Sequence, residues 1–224
     1  VTLLSFVRPD DRTEDVAHLE GFLEAVHTVP MERSLARNLR AGLVSLLTGR
    51  PAIIAREEIG AMRRQVERLL DTGRFDAVHA DQIPMAQYGL LGERKGVRRL
   101  LDQHNATFQI IERLARREAG ALKRAFLRRE ARAFVRYERE VCRRYDRVVF
   151  VSDQDRQALL GPLPDFPLAE RTAVIPICID TAAVAPVPPR DGPFRVTHVG
   201  TMYWPPNVEG LLWFYEQVWP AIRA

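Results

Sequence analysis

The sequence predicts an α/β fold: a parallel sheet flanked by helices, followed by the first strand and helix of a second domain of the same kind. Three observations carry this expectation. Short β-rich runs alternate along the chain with stretches whose apolar residues recur at three-and-four spacing, and such alternation implies a parallel sheet covered by helices. The 224 residues, 46% of them hydrophobic, suffice for a packed core. A proline-rich stretch without periodicity, AAVAPVPPRDGP at 182–193, reads as an interdomain linker. It leaves 1–181 as a first domain and 194–224 as the start of a second.

Taken in order, strands are expected at 2–7 (TLLSFV) and 26–29 (VHTV), followed by helical periodicity over 34–48 and 57–72. A strand at 75–79 (FDAVH) leads to a helix at 84–92, and a strand at 97–103 (VRRLLDQ) leads to a long helical region, 107–146. Unbroken, that helix would run about 60 Å at ~1.5 Å per residue, longer than the domain it must cover. A break is therefore expected at Gly120. In the second half Phe134, Glu138, Val141 and Tyr145 share one stripe, and the other face carries Arg132, Arg136, Arg139 and Arg143. Glu138 is thus a carboxylate on the buried side. Left unpaired it would be costly, so it is expected to accept hydrogen bonds from backbone amides or an arginine, as a structural carboxylate. The remaining elements are strands at 147–151 (RVVFV) and 172–176 (TAVIP), a helix at 153–160 between them, a strand at 194–199 (FRVTHV) and a helix at 206–218. One strand and one helix cannot enclose a core. The second domain is expected to be cut short, and the first, in a chain with no initiator Met, to lack its opening strand and helix.

Several function classes lose ground on composition. No apolar stretch approaches the roughly 20 residues that cross a bilayer, and the first residues do not form a secretory leader. Cys142 and Cys178 offer neither a disulfide framework nor zinc-ligand spacing, which fits a cytoplasmic setting. The five histidines contain no HxxxH pair, so no metal is expected. The net charge is +4, and of the 33 basic residues only Lys95 and Lys123 are lysines. A nucleic-acid partner is not expected, because few aromatics interleave the arginines and no recognition motif is present. The sequence contains no GxGxxG, no P-loop and no GxSxG elbow.

In an open parallel sheet, ligands bind beyond the carboxyl ends of the strands. Asp81 and Gln82 follow the strand at 75–79, His104 and Asn105 that at 97–103, Ser152 and Asp153 that at 147–151, and Gly200 and Thr201 that at 194–199. Capping explains part of this pattern: Ser152 with Asp155 reads as a capping box, Asn105 or Thr107 as an N-cap, and Asn207 as the cap of the last helix. It explains His104 poorly, since histidine is no preferred cap. An imidazole there can donate to or accept from a sugar hydroxyl or a phosphate oxygen. Gly200 would let a phosphate approach backbone amides.

The segments FDAVHADQ, RLLDQHNATF, YEREVCRRYDRVVFVSDQDRQAL, VIPICIDT and VTHVGTMYWPPNVEGLLWFYEQVWP, in this order, resemble glycosyltransferase family 4 over roughly 75–220. The resemblance implies a GT-B architecture of two Rossmann-like domains, of which 1–181 is the N-terminal, acceptor-side domain. It implies retaining, metal-independent transfer from a nucleotide-sugar donor to a glycan or lipid-linked acceptor, of the kind used in bacterial exopolysaccharide assembly. By matching position, His104 would line the donor-sugar pocket as the catalytic residue. Gly200, Thr201 and Ser152 would bind the donor, and Asp81, Gln82 and Asn105 would face the acceptor. Glu138 matches the glutamate of the family's YE pair. The chain departs from the pattern at IPICID, where Ile177 and Cys178 replace a turn-forming Asn-Gly pair. Because the donor-side basic residues and paired glutamates are missing, the fragment alone is expected to be inactive.

Two other readings stand beside this one. The run from Arg113 to Arg147 carries 13 basic and five acidic residues, which suits a non-catalytic membrane or polyanion binder, or an enzyme held peripherally at an anionic inner membrane face. A nucleotide-sugar epimerase would require a GxGxxG turn upstream.

Overall fold

The computed structural model describes residues 1–32, 34–187, 192, 195–202 and 205–223. It divides into two compact units, Val1–Cys178 and Ile179–Ala224. The first is α/β with parallel strands throughout.

The first unit opens with β1 (Thr2–Val7), α1 (Thr13–Glu20) and β2 (Ala25–Pro30). β1 and β2 pair in parallel only with each other, as a two-stranded sheet. Next come α2 (Leu35–Thr48), α3 (Ala52–Arg56) and α4 (Gly60–Thr72). The second sheet has the order β3-β4-β5-β6, formed by β3 (Ala77–Asp81), β4 (Arg98–Gln103), β5 (Arg147–Phe150) and β6 (Thr172–Val174). Its connections hold α5 (Ile83–Gly89) with a 3-10 turn over Leu90–Lys95, then α6 (Thr107–Arg117), α7 (Ala121–Arg144), α8 (Asp153–Leu160) and α9 (Leu168–Arg171). The long helical region does break around Gly120, whose extended backbone (φ −70°, ψ 117°) separates α6 from α7. At 24 residues α7 is about 36 Å long, short enough to lie along one face of the sheet.

One core joins the second sheet to its helices. Leu101, Val148 and Phe150 from the strands meet Phe134 and Val141 of α7, Tyr145 at its end and Leu159 of α8, all essentially inaccessible to water. Tyr145, just past α7, donates its hydroxyl to the Ala86 carbonyl of α5 at 2.8 Å. That approach needs a glycine at 89, because a Cβ there would fall 2.1 Å from the Tyr145 Oη. A smaller cluster of Val29, Met62 and Tyr88 packs the first sheet against α4 and α5.

α2 turns its leucines outward. Ala41 and Ser45 form its buried side, while Leu35, Leu39, Leu43, Leu46 and Leu47 are exposed. The buried side is polar because Glu130 of α7 lies beneath it. Its carboxylate accepts from Ser45 Oγ and from the Ala52 amide, each at 2.7 Å, and from Arg129 at 2.6 Å. Gly49 ends the helix with φ +74°, a left-handed C-cap suited to glycine.

In the second unit, α10 (Pro205–Trp213) runs through a π-helical turn, Phe214–Val218, into α11 (Trp219–Arg223), so the helix expected at 206–218 is present. The strand expected at 194–199 is not seen: Phe194 lies outside the described residues, and 195–199 are exposed coil. A strand needs a hydrogen-bonded neighbour, and no described residue supplies one. Residues 188–191 and 193 of the expected linker also lie outside the described residues.

Candidate active site

The candidate site forms at the carboxyl ends of β3 and β4. The parallel register sets Asp81 opposite Asp102, and side chains at matched positions of neighbouring parallel strands emerge on the same face. His104 lies two residues beyond Asp102. Its Nε2 is 3.0 Å from Asp81 Oδ1 and 3.7 Å from Asp102 Oδ2. The side chain of Asp81 is 70% exposed and that of His104 33%, so the imidazole is half sheltered by the sheet edge and half open to solvent. A carboxylate at 3.0 Å favours the proton on Nε2, which leaves Nδ1 as an acceptor.

Around His104 the backbone is tied down at almost every residue. Gln103, alternating to the opposite face from Asp102, is buried and donates its Nε2 to the Asn105 carbonyl at 2.9 Å and to Glu138 Oε1 at 3.1 Å. Glu138 Oε1 also accepts the Thr107 amide at 2.8 Å, and its Oε2 the Phe108 amide at 3.4 Å. The Ala106 amide goes to Asp155 Oδ1 at 3.1 Å. Asp155 is itself held by Ser152, whose hydroxyl donates to Oδ2 at 2.6 Å and accepts the Asp155 amide at 3.1 Å. The loop between β4 and α6 is therefore clamped from α7 and from α8. The side chains of His104 and exposed Asn105 are left over.

This arrangement corrects two capping expectations. Neither Asn105 nor Thr107 is the N-cap of α6; Ala106 occupies that position without a capping side chain, and Glu138 satisfies the first-turn amides from another helix. The positive end of α6 is consequently occupied by a protein carboxylate rather than left for a ligand. Ser152 does cap α8, but the Asp155 carboxylate returns to Ala106 instead of closing the box. Burial pushes the Glu138 carboxyl up from 4.5 to about 7, against the hydrogen bonds from Thr107, Phe108 and Gln103, which favour the charged form.

Gln82, beside Asp81, has φ +68°, a backbone conformation rare for a side chain other than glycine. Its amide donates to the Asp102 carbonyl at 2.9 Å, which holds the chain in that turn at the end of β3. Strain of this kind collects at functional edges.

Asp102 is the site residue that sequence reasoning missed, because strand alternation does not say which residue of the neighbouring strand lies opposite. Asp81, Asp102 and His104 bring three ligand atoms within 4.8 Å of one another, a donor set able to take a divalent cation.

In the second unit, Asn207 does not precede the helix as a cap. It sits in the first turn of α10 and donates Nδ2 to the Thr201 carbonyl at 3.1 Å. A Cβ on Gly200 would lie 2.8 Å from Nε2 of the exposed His198 side chain.

The model of the glycosyl transferase 4-like domain matches residues 1–178. The chain belongs to this family. The matched span covers all of β3 to β6 and the clamped loop, so His104, Asp81 and Asp102 lie in a glycosyltransferase domain, whose substrates are a sugar donor and an acceptor. Gly200 and Thr201 lie outside the match. No curated protein matches the chain. Among the described residues no helix is long and apolar enough to cross a membrane.

Proposed function

We propose that the chain, as part of its full-length enzyme, transfers a sugar from a nucleotide-sugar donor to a glycan or lipid-linked acceptor, with retention of configuration and without a metal ion. The observation that carries this reading is the loop at 103–108, fixed by Glu138 and Asp155 so that His104 stands at the sheet edge beside Asp81 and Asp102. In such transfer the protein's work is positioning and electrostatic stabilisation. His104 would contact the transferred sugar through Nδ1, with Asp81 and Asp102 setting its tautomer. Gln82 and Asn105, exposed on the same edge, would meet the acceptor with Asp81. Ser152 is spent on the cap and on Asp155, so we assign it to positioning of the loop rather than to the donor. Gly200 and Thr201 would receive the donor diphosphate, a role that rests on the sequence resemblance. Metal independence rests on the sequence resemblance, since Asp81, Asp102 and His104 also form a donor set able to take a divalent cation.

The test is release of nucleoside diphosphate from a panel of nucleotide sugars offered with glycan and lipid-linked acceptors, with and without EDTA. Transfer unaffected by the chelator is expected. Loss of turnover on chelation, restored by a divalent ion, would instead make Asp81, Asp102 and His104 a metal site.

A further inference from the structure

Outside the candidate site, α2 presents an apolar face to solvent. Leu35, Leu39, Leu43, Leu46 and Leu47 are between 58% and 77% exposed, and at helical spacing they fill an arc of roughly 120°. The orientation is enforced from beneath, since Ser45 and Ala52 are fastened to buried Glu130. The apolar surface continues onto α7: Leu46, Leu122, Ala125 and Phe126 line an open groove of about 630 Å³, with Lys123 and Arg129 at its margins. Leu122 is 87% exposed.

The charge around this face is mainly basic, with Glu118 paired to Lys123 and Glu140 following the arginine row of α7. α2 contains Arg37 and Arg40 and no acidic residue. Along the first four turns of α7 the only carboxylate is Glu130, which is buried. Arg128, Arg132 and Arg136 recur every four residues on the exposed side of α7, and none has an ion-pair or hydrogen-bond partner among the described residues.

We propose that this face docks on an anionic membrane surface, the leucines and Phe126 entering the headgroup boundary and the arginines meeting lipid phosphates. An exposed leucine arc bordered by unpaired arginines is the composition of an interfacial helix. A second copy of the chain is the poorer occupant, because a two-fold contact sets the same patch against itself and would bring three arginines of each row together with one exposed carboxylate, Glu140, to offset them. The inference stands independently of the sugar-transfer reading.

The experiment is co-sedimentation of the protein with vesicles of phosphatidylcholine alone and of phosphatidylcholine containing about 30 mol % phosphatidylglycerol, across a salt series. Partitioning onto the anionic vesicles only, weakening with salt, is expected. Replacing Arg128, Arg132 and Arg136 together by Gln should lower the partition coefficient about 100-fold, at roughly fivefold per charge. Leu43→Gln with Leu47→Gln should lower it more than about tenfold while the circular dichroism spectrum stays unchanged, since both side chains are exposed. Absence of vesicle binding, equal binding to neutral vesicles, or variants that bind as the parent does would overturn the proposal. So would concentration-dependent dimerisation in sedimentation velocity that the leucine pair abolishes, which would assign the face to a second copy.

Discussion

Glu138 shows how one residue can hold a site it does not enter. It is completely buried, yet three N–H groups flanking the β4–α6 loop, from Gln103, Thr107 and Phe108, converge on it, and the Ala106 amide within the loop reaches Asp155. Its carboxyl titrates higher in the folded chain than in the unfolded one, so the folded state binds the extra proton. The stabilisation is full below about pH 4.5 and is lost as pH rises through about 7. Glu138→Gln mimics the protonated form. Thermal melts should show the parent losing stability between pH 5 and pH 8 by at most roughly 3 kcal/mol relative to this variant; parallel pH profiles would show that Glu138 does not titrate in this range. Glu138→Ala removes one of the two acceptors of buried Gln103 and leaves the Thr107 and Phe108 amides without their acceptor, and should cost about 2–4 kcal/mol at any pH. Glu138 could be read from the sequence because it falls on an apolar stripe. About two turns earlier the same stripe reaches Glu130, whose equivalent role the sequence reading does not find. Asp102 was beyond reach for another reason: its partner Asp81 is set by strand register, a long-range property.

At the scale of elements, β4, α8 and the break at Gly120 follow from periodicity and length. Those that escaped notice lack such a signal: α1 buries none of its residues, and α3 has only five. The leucines of α2 gave the right helix, but periodicity alone would turn them inward; the polar contact of Ser45 with Glu130 decides the rotation. Packing of α5 on the α7–β5 corner rests on Gly89. Gly89→Ala should destabilise by about 1–3 kcal/mol, read from urea denaturation. Adding Tyr145→Phe should recover only part of the loss, because removing the hydroxyl relieves the 2.1 Å approach while the ring carbon Cζ remains at 3.1 Å. Equal stability of the Gly89→Ala variant and the parent would show that α5 can shift freely.

On the scale of the whole molecule, the family match ends at residue 178, where the first compact unit also ends. The domain that is a glycosyltransferase 4-like domain is thus also a structural unit, and its strand ends deliver one polar edge. That His104 contacts the transferred sugar is the claim on which the functional account turns, and the most direct measurement is kcat of His104→Ala in the full-length enzyme at saturating donor and acceptor, with the fold checked by circular dichroism. The account predicts a fall of about 10²-fold or more with little change in donor KM. Turnover within about twofold of the parent would contradict it.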